Sequence, residues 1–273
     1  MGQFHGNPCW YELATGRGKL ASAEDFYARV MGWTIADSGM PGMAYHLASH
    51  EGPGDMVAGL MEMPADVADM PPFWMIYFAV DGVDRFCKDA VAAGASVHRE
   101  PVEVPGTGRI AILADPQGAA FGVLQPDMSH MSPEDIARAE SGETGAFNQN
   151  KASHGNWHEL MTPDPKAALD FYGKLLRWKA STVVPMGEMG DYQLFSRNGT
   201  DIGGMMGHGN SPVPAWLPYF GANGVTAAMD RVTEDGGTVL HGPQEVPGGA
   251  FIAICQDPQG AHFAIVGPMD ETR

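Results

Sequence analysis

The sequence predicts an α+β fold made of two copies of one domain, and three observations support this prediction. Pro101 to Pro126 aligns without gaps onto Pro243 to Pro268, with 15 of 26 positions identical, which is the mark of an internal duplication. The length of 273 residues suits about two domains of ordinary size. Finally, the spacing of the hydrophobic residues is typical of strands in some segments and of helices in others, and these segments follow one another in the same order in each half.

The correspondence between the two halves also extends upstream of that segment. The tetrapeptide WYEL at 10–13 matches WHEL at 157–160, and the pair Phe-Tyr at 26–27 recurs at 171–172. Trp33 matches Trp178, and even the lead-in His-Gly-Asn at 5–7 recurs at 154–156. The sequence therefore predicts one domain over 5–126, an acidic linker over 127–152, and a second domain over 153–268.

The elements of the first copy follow from its local pattern. Trp10–Thr15 reads as a strand, and Ser22–Met31 as a helix with one apolar face and Gly32 as its stop. Short strands are expected around Tyr45–Ser49 and Met56–Met61. These elements predict one β-α-β-β-β module.

A second module of the same kind follows in the first copy. It begins with a strand over Trp74–Val80 and continues with a helix over Val83–Ala93 that Gly94 ends. The second copy repeats this order, with a helix opened by Asp164-Pro165. In the linker, Ser132 and Pro133 predict the start of a short helix and Gly142 its end. The remaining strands of the first copy are expected near Val97, Ile110–Ala114 and Phe121–Gln125.

Composition and charge exclude several classes of function. Lys and Arg total 16 against 33 Asp and Glu, for a formal charge of −17, which repels phosphate backbones and anionic lipid surfaces. We therefore expect neither a nucleic-acid nor a membrane partner. Three widely spaced cysteines without a CxxC motif, and no apolar leader segment near Met1, predict a cytoplasmic protein.

The order of the modules, the repeated Phe-Tyr, the Trp after each first helix and the repeated Asp-Pro-Gln-Gly at 115–118 and 257–260 together resemble the vicinal oxygen chelate superfamily. This superfamily contains glyoxalase I, bleomycin-resistance proteins and extradiol dioxygenases. The resemblance covers nearly the whole chain and is greatest to two-domain glyoxalase-like proteins. It implies that each domain is a cupped, partly open β-sheet of two β-α-β-β-β modules that encloses a cavity.

Metal-dependent members of the superfamily hold a divalent ion with His or Glu ligands on the first, fifth and eighth strands. The resemblance places Trp10 and Trp157 at the first-strand position in the two copies. None of the side chains at the six corresponding positions offers an imidazole or carboxylate donor. We therefore expect no metal at the usual site, and a divalent metal only with shifted ligands. The other four positions are Met75 and Leu217 on the fifth strands and Gly122 and Ala264 on the eighth strands.

Side chains two residues apart on a strand share a face, so further residues are expected to point into each cavity. These are Glu12 and Tyr77 in the first copy, and Glu159, Tyr219 and His262 in the second. The counterpart of His262 in the first copy is Ala120. The second cavity is therefore expected to be the working one.

A carboxylate in an apolar cavity has its pKa raised by desolvation, which suits it to acid and base chemistry. The enzyme hypothesis makes Glu159 a base and His262 and Tyr219 proton donors or orienting groups, acting on a small carbonyl or hydroxylated metabolite. In the alternative, Glu12 and Glu159 accept hydrogen bonds that join the sheets, and His262 is a structural residue. Because His5 and His154 lie in a repeated His-Gly-Asn segment before the first strand of each copy, we expect them to act in turns and not as metal ligands.

A second hypothesis, of binding without turnover, stays open beside the enzyme hypothesis. The cavities, lined by Trp and Met, would capture a small aromatic or apolar ligand, as bleomycin-resistance proteins sequester drugs. A metal-dependent glyoxalase, lyase or dioxygenase with shifted ligands is a further alternative. In each case the expected partner is a small molecule, and the protein is expected to be a monomer or a homodimer.

Overall fold

The computed structural model describes residues 2–67, 69–209 and 213–270. It confirms the predicted α+β class, with two mixed sheets of eight strands and, within the described ranges, five α-helices. None of these helices combines the length and the apolar character that a membrane span needs. The helices are α1 (Leu20–Met31), α2 (Val83–Ala92), α3 (Pro133–Glu140), α4 (Pro165–Leu176) and α5 (Val225–Glu234).

The first sheet contains the strands of the first copy in the order β2-β3-β4-β1-β5-β8-β7-β6. Strands β1 and β4 are parallel, as are β5 and β8, and the outer neighbours pair antiparallel. The strands are β1 (Pro8–Thr15), β2 (Thr34–Asp37), β3 (Tyr45–Ser49), β4 (Met56–Glu62), β5 (Phe73–Ala79), β6 (Ser96–Val104), β7 (Gly108–Ala114) and β8 (Ala120–Pro126).

The second sheet repeats this arrangement in the order β10-β11-β12-β9-β13-β16-β15-β14. Its parallel pairs are β9 with β12 and β13 with β16. The equivalence of the two strand orders confirms the duplication that the sequence predicts. The strands are β9 (Gly155–Thr162), β10 (Lys179–Pro185), β11 (Asp191–Arg197), β12 (Thr200–Gly207), β13 (Ala215–Gly221), β14 (Thr238–Glu245), β15 (Phe251–Gln256) and β16 (His262–Gly267).

The predicted helix ends have a clear local cause. Helix α1 ends at Gly32, whose φ of 71° is a left-handed conformation that glycine adopts without strain. Helix α4 begins after Asp164, whose side chain accepts a hydrogen bond from the Ala167 amide at 2.9 Å. The short helix α3 in the predicted linker begins in the same way, with Ser132 accepting from Asp135 N.

The chain also divides into two compact units, and each of them combines segments of both sequence copies. Unit 1 consists of Met1–Cys9, Ile76–Glu143 and His158–Leu217. Helices α2 and α4 pack together within it. Unit 2 consists of Trp10–Met75, Thr144–Trp157 and Pro218–Arg273, and in it α1 packs against α5. The sheets therefore follow the repeats, whereas each compact unit is built from both copies.

A buried hydrogen-bonded chain joins the two copies inside unit 2. Trp74 Nε1 donates to Tyr27 Oη at 2.9 Å, and Tyr27 Oη donates to Asp257 Oδ2 at 3.1 Å. The other oxygen of Asp257 accepts backbone N–H groups from the Asp-Pro-Gln-Gly turn, including those of Gln259 and Ala261 at 2.9 Å. The repeated Phe-Tyr and Asp-Pro-Gln-Gly motifs thus meet across the duplication.

Unit 1 contains the equivalent hydrogen-bonded chain, but here the second copy supplies the tryptophan and the tyrosine and the first copy supplies the aspartate. Trp216 Nε1 donates to Tyr172 Oη, and Tyr172 Oη donates to Asp115 Oδ2, each at 3.1 Å. Burial, followed by the adjacent carboxylate, raises the pKa of the Tyr172 phenol well above its ordinary value. The phenol therefore remains a hydrogen-bond donor. In both units, the tyrosine of one copy provides the hydrogen-bond partner of a buried aspartate in the other copy.

Candidate functional site

One face of the first half-sheet in unit 2 is apolar and partly accessible, and we call it the Glu12 face. Glu12 pairs with Gly59 in the parallel β1–β4 register, and Leu47 pairs with Gly59 in the antiparallel β3–β4 register. Side chains at these positions therefore share a face. Glu12 is partly exposed on it, whereas Tyr11 and Leu13 on the opposite face are fully buried. The Glu12 face consists of Trp10, Glu12, Tyr45, Leu47, Gly59 and Met61.

A hydrogen-bonded chain crosses the Glu12 face. Trp10 Nε1 donates to Tyr45 Oη at 2.8 Å, and Tyr45 Oη is hydrogen-bonded in turn to the Glu12 carboxylate. Burial and then the charge of Glu12 raise the pKa of the Tyr45 phenol well above its ordinary value, so the phenol is the donor to the carboxylate. The expected inward residues Trp10 and Glu12 are thus brought together through Tyr45.

Gly59 explains why the Tyr45 phenol can lie at this position. A Cβ atom at Gly59 would overlap the phenol group of Tyr45. Glycine inside a strand often marks such a close approach of another group. Tyr45 was not among the residues singled out from the sequence, although Tyr45 matches Tyr192 and Gly59 matches Gly204 between the copies. This double match is the signal that could have identified the tyrosine.

The equivalent face of unit 1, which we call the Glu159 face, has a different exposure pattern. Glu159 pairs with Gly204 in the β9–β12 register, and its residue is only 7% exposed. Tyr192, by contrast, is partly exposed, whereas the matching Tyr45 is buried. The Glu159 face consists of Glu159, Met161, Tyr192, Leu194, Gly204 and Met206.

Tyr192 lies over the strand position next to Glu159. A Cβ atom at Gly204 would overlap the Tyr192 ring and would lie 2.6 Å from Tyr192 Oη. Because Gly204 is the register partner of Glu159, the phenol and the carboxylate are neighbours on one face. Met161, Leu194 and Met206 around them are partly accessible. The face therefore offers an apolar surface with two oxygen-bearing groups.

The remaining predicted residues lie on the expected strands with varied exposure. Tyr77 is buried, and its ring occupies the space that a side chain at Gly122 would need. Tyr219 is also buried and pairs in register with Ala264. His262 is exposed at the first residue of β16, where its Nε2 lies 3.5 Å from Gln256 Nε2. Met75 and Leu217 are buried, and Trp157 is partly exposed.

The predicted acid-base residues of the second copy are distributed over both units. Glu159 belongs to unit 1, whereas Tyr219 and His262 belong to unit 2.

The repeated histidines of the lead-in segments lie within hydrogen-bond distance of backbone carbonyls, and one of them also of a carboxylate. His5 Nε2 lies 2.8 Å from Leu175 O, and His154 lies between Ala152 O at 2.8 Å and Asp55 Oδ1 at 3.1 Å.

Comparison with known families identifies the type of domain. The model of the Glyoxalase/Bleomycin resistance protein/Dioxygenase superfamily matches residues 13–123 and again 155–265. The chain belongs to this superfamily. The two matches coincide with the two eight-stranded sheets, and they confirm the resemblance inferred from the repeated motifs.

Two curated relatives of this superfamily protein span nearly its whole length. "Putative glyoxylase CFP32" of Mycobacterium tuberculosis (strain CDC 1551 / Oshkosh) is 30% identical over 271 residues, covering 96% of this chain and 95% of the relative. "Anthracycline biosynthesis protein DnrV" of Streptomyces peucetius is 29% identical over 279 residues, covering 96% and 93%. The tandem arrangement is therefore shared along the full length of these proteins.

Solved structures of superfamily members share the fold. The Mn(II)-bound glyoxalase from Novosphingobium aromaticivorans superposes with a TM-score of 0.65 at 17% identity, covering 98% of this chain and 84% of that one. The 2,3-dioxygenase LapB from Pseudomonas sp. KL28 gives a TM-score of 0.64 at 15% identity, covering 95% and 91%. At these identities the comparison establishes the architecture.

The side chains of this superfamily member do not fit a divalent ion at the family's usual position. Trp10 and Trp157 replace the first-strand ligands, and in unit 1 the Tyr77 ring fills the space beside Gly122 where the eighth-strand carboxylate would stand. Among the residues that the structure describes, no three His, Cys, Asp or Glu side chains are grouped so that they could hold a metal ion.

Proposed function

We propose that this protein binds a small, flat, largely apolar aromatic metabolite on the Glu159 face and that Glu159 acts there as a base or a hydrogen-bond acceptor. The observation that carries the proposal is the buried Glu159 residue within a partly accessible apolar surface. Met161, Leu194 and Met206 supply that surface. Ligand sites of this kind combine an apolar lining with a few polar groups that fix the ligand's orientation.

The methionines on this face favour a ligand with an extended aromatic system. Thioether side chains are polarisable and adapt to irregular shapes, and they make favourable contacts with aromatic rings. An apolar ligand would displace water from the face, whereas Glu159 would retain a specific polar interaction. A charged or strongly hydrated ligand would find few partners on Met161, Leu194 and Met206.

The relatives support the same class of ligand. DnrV and the 28% identical DauV from Streptomyces sp. (strain C5) are both named as anthracycline biosynthesis proteins, and anthracyclines are built on a fused aromatic ring system. The chain covers 93% of each of these proteins. We infer that the present protein binds a ligand of the same class. The roles expected for His262 and Tyr219 as proton donors stay predictions.

Ligand binding can be tested with 9,10-anthraquinone and an anthracycline as probes, by thermal denaturation and by quenching of tryptophan fluorescence. A probe at 100 times its Kd is expected to stabilise the folded state by about 2.7 kcal/mol. Glu159→Gln should weaken binding, whereas Glu103→Gln, at an exposed position on β6, is the matched control. Failure of both probes to bind would contradict the proposed ligand class.

A second candidate function is sequestration of the same kind of ligand without turnover. The absence of His and Glu donors at the family's usual metal positions favours this candidate. The two functions differ in what becomes of a bound probe. Prolonged incubation followed by chromatography and mass spectrometry would show an altered compound for an enzyme, and an unchanged, stoichiometrically bound compound for a sequestering protein.

A further inference from the structure

A cavity of about 300 Å³ lies in unit 1 between α2 and the strands β6 and β7 at the edge of the first sheet. It lies on the helix side of that sheet, because Arg109 pairs with Gln125 in the β7–β8 register and Gln125 accepts a hydrogen bond from Val83 N at the start of α2. The cavity belongs to the first copy and is separate from the Glu159 face. Its lining consists of Asp84, Cys87, Lys88, Glu100, Pro101 and Arg109.

The charged side chains of this lining are not all used in the same way. Arg109 is bound to Asp84, since its Nε and Nη2 donate to the two carboxylate oxygens at 2.6 and 2.9 Å. Lys88 and Glu100 line the same cavity and are exposed. Within the part of the chain that the structure describes, neither of these two side chains forms an ion pair. The cavity therefore presents one cation and one carboxylate that do not contact each other.

Glu100 lies at a bulge-like irregularity in β6. The β6–β7 register shifts between Arg99 and Val102, and the two residues between them are Glu100 and Pro101. Such irregularities redirect a side chain and are common next to functional sites. The second copy has a register shift at the matching place in β14, but Gly242 replaces Glu100 there. The irregularity therefore belongs to the fold, whereas the carboxylate belongs to the first copy.

The other charged lining residues also differ between the copies. Lys88 matches Asp230, which has the opposite charge, and Arg109 matches Phe251. Helix α5 and strands β14 and β15 form with these different residues, so the fold does not require the charges around the cavity. Function is added to a fold through the side chains of particular sites. The charged lining is thus a feature that a ligand would explain.

We propose that this cavity binds a small aminocarboxylate, with the ammonium group of the ligand at Glu100 and its carboxylate at Lys88. Because the charges of Asp84, Lys88, Glu100 and Arg109 sum to zero, a ligand that carries both signs suits the cavity better than an ion of one sign. Burial, followed by the charges of Glu100 and Asp84, raises the pKa of the Cys87 thiol to about 11. The thiol is therefore neutral at neutral pH, and its closeness to Glu100 places it beside the ammonium group of the ligand.

Calorimetric titration of the full-length protein tests the proposal with glycine, 4-aminobutanoate and 6-aminohexanoate, which differ in the separation of their charges. At least one of them is expected to bind with a Kd in about the millimolar range, since ion pairs at a partly exposed site are weak. The amine and the carboxylic acid of the same chain length should each bind about fivefold more weakly or less. Glu100→Gln and Lys88→Met should each cause a similar loss, whereas Lys179→Met, at an exposed position on β10 in the same unit, should cause none.

Cys87 provides a second measurement that reports on the cavity itself. Its alkylation by iodoacetamide at about pH 9 can be followed by mass spectrometry of peptides. The best-binding aminocarboxylate at about ten times its Kd should slow this reaction about tenfold, because it occupies most of the cavities. Alkylation of Cys9, which is partly exposed outside the cavity lining, should not change.

Several results would overturn the inference. These are the absence of binding by all three aminocarboxylates, equal affinity in the two cavity variants and in Lys179→Met, and equal binding of the amine alone, which would indicate a cation site. A Cys87 thiol that the ligand does not protect, or that does not react at all, would show that the ligand does not enter this cavity. The aromatic probes of the proposed function address a different face, so each proposal can fail without the other. Circular dichroism and a thermal melt of each variant confirm that the compared proteins are folded.

Discussion

Tyr27 in the first copy donates a hydrogen bond to Asp257 in the second copy, and the two oxygen atoms lie 3.1 Å apart in a buried environment. The residues are 230 positions apart in the chain. In the equivalent contact, Tyr172 of the second copy donates to Asp115 of the first. The duplicated motifs therefore stabilise the tertiary structure through contacts with the partner copy.

Tyr27→Phe is expected to lower the free energy of unfolding by about 1–3 kcal/mol, because it leaves Trp74 Nε1 and one Asp257 oxygen buried without a partner. Equilibrium unfolding in urea measures this change. Tyr192→Phe removes the same hydroxyl from a partly exposed position and should change stability much less. Equal, small effects of the two substitutions would show that the buried chain contributes little.

Glu159→Gln should weaken binding of an aromatic probe by more than about tenfold, because an amide removes the charge that a ligand hydroxyl would meet. Glu12→Gln should mainly reduce stability, because the carboxylate of Glu12 is hydrogen-bonded to the buried phenol of Tyr45. Fluorescence titration of the two variants measures the difference. An equal loss of binding in both, or a loss in Glu12→Gln alone, would refute the asymmetry between the copies.

Stability should fall as the pH decreases from about 6.5 to about 4 because of His158. Burial lowers the pKa of this imidazole to about 4, while Nδ1 lies 2.7 Å from Ile202 O. The unfolded chain binds a proton on His158 below about pH 6.5, so it holds more protons than the folded chain in this window. The free energy of unfolding lost in this way reaches about 3 kcal/mol at the acidic end of this pH window.

Urea unfolding at several pH values measures this dependence. His158→Gln should flatten the part of the curve between about pH 4 and 6.5, whereas His98→Gln, at an exposed position in the same unit, should leave it unchanged. An identical pH dependence in the protein and in His158→Gln would assign the effect to other groups.

Metal analysis of protein purified without chelators should find well below one Zn, Ni, Mn or Fe ion per domain. The reason is the lack of donors at Trp10, Trp157 and the four other positions discussed above. Stoichiometric metal that disappears in Glu12→Gln or Glu159→Gln would contradict this prediction. It would also support a glyoxalase or dioxygenase with shifted ligands.

The element order and the duplication could be predicted from the sequence because both depend on local patterns. Gly32 and Asp164-Pro165 mark helix ends through backbone geometry alone, and the observed helices begin and end there. The partners of Tyr27 and Tyr172 could not be predicted in this way. Their hydrogen bonds join distant segments, and the local pattern of Asp-Pro-Gln-Gly indicates only a turn.

The face residues were predictable in part. Alternation along β1 and β9 places Trp10 and Glu12 on one face of the first sheet and Glu159 on the equivalent face of the second. Tyr45 and Tyr192 lie on strands whose register the sequence does not specify, so their position beside the carboxylates became clear only from the pairing with β4 and β12. Exposure of His262 likewise depends on where β16 begins.

Each copy of the domain contains one tyrosine and one aspartate of the crossed pairs, but each tyrosine bonds to the aspartate of the other copy. A single copy on its own could complete such a chain only by meeting a second molecule, with Tyr27 of one facing Asp115 of the other. The present chain therefore has the bonding pattern of a dimer of two such copies, with both copies contained in one polypeptide. A polypeptide cut within 127–152 would be expected to hold together as two associated fragments.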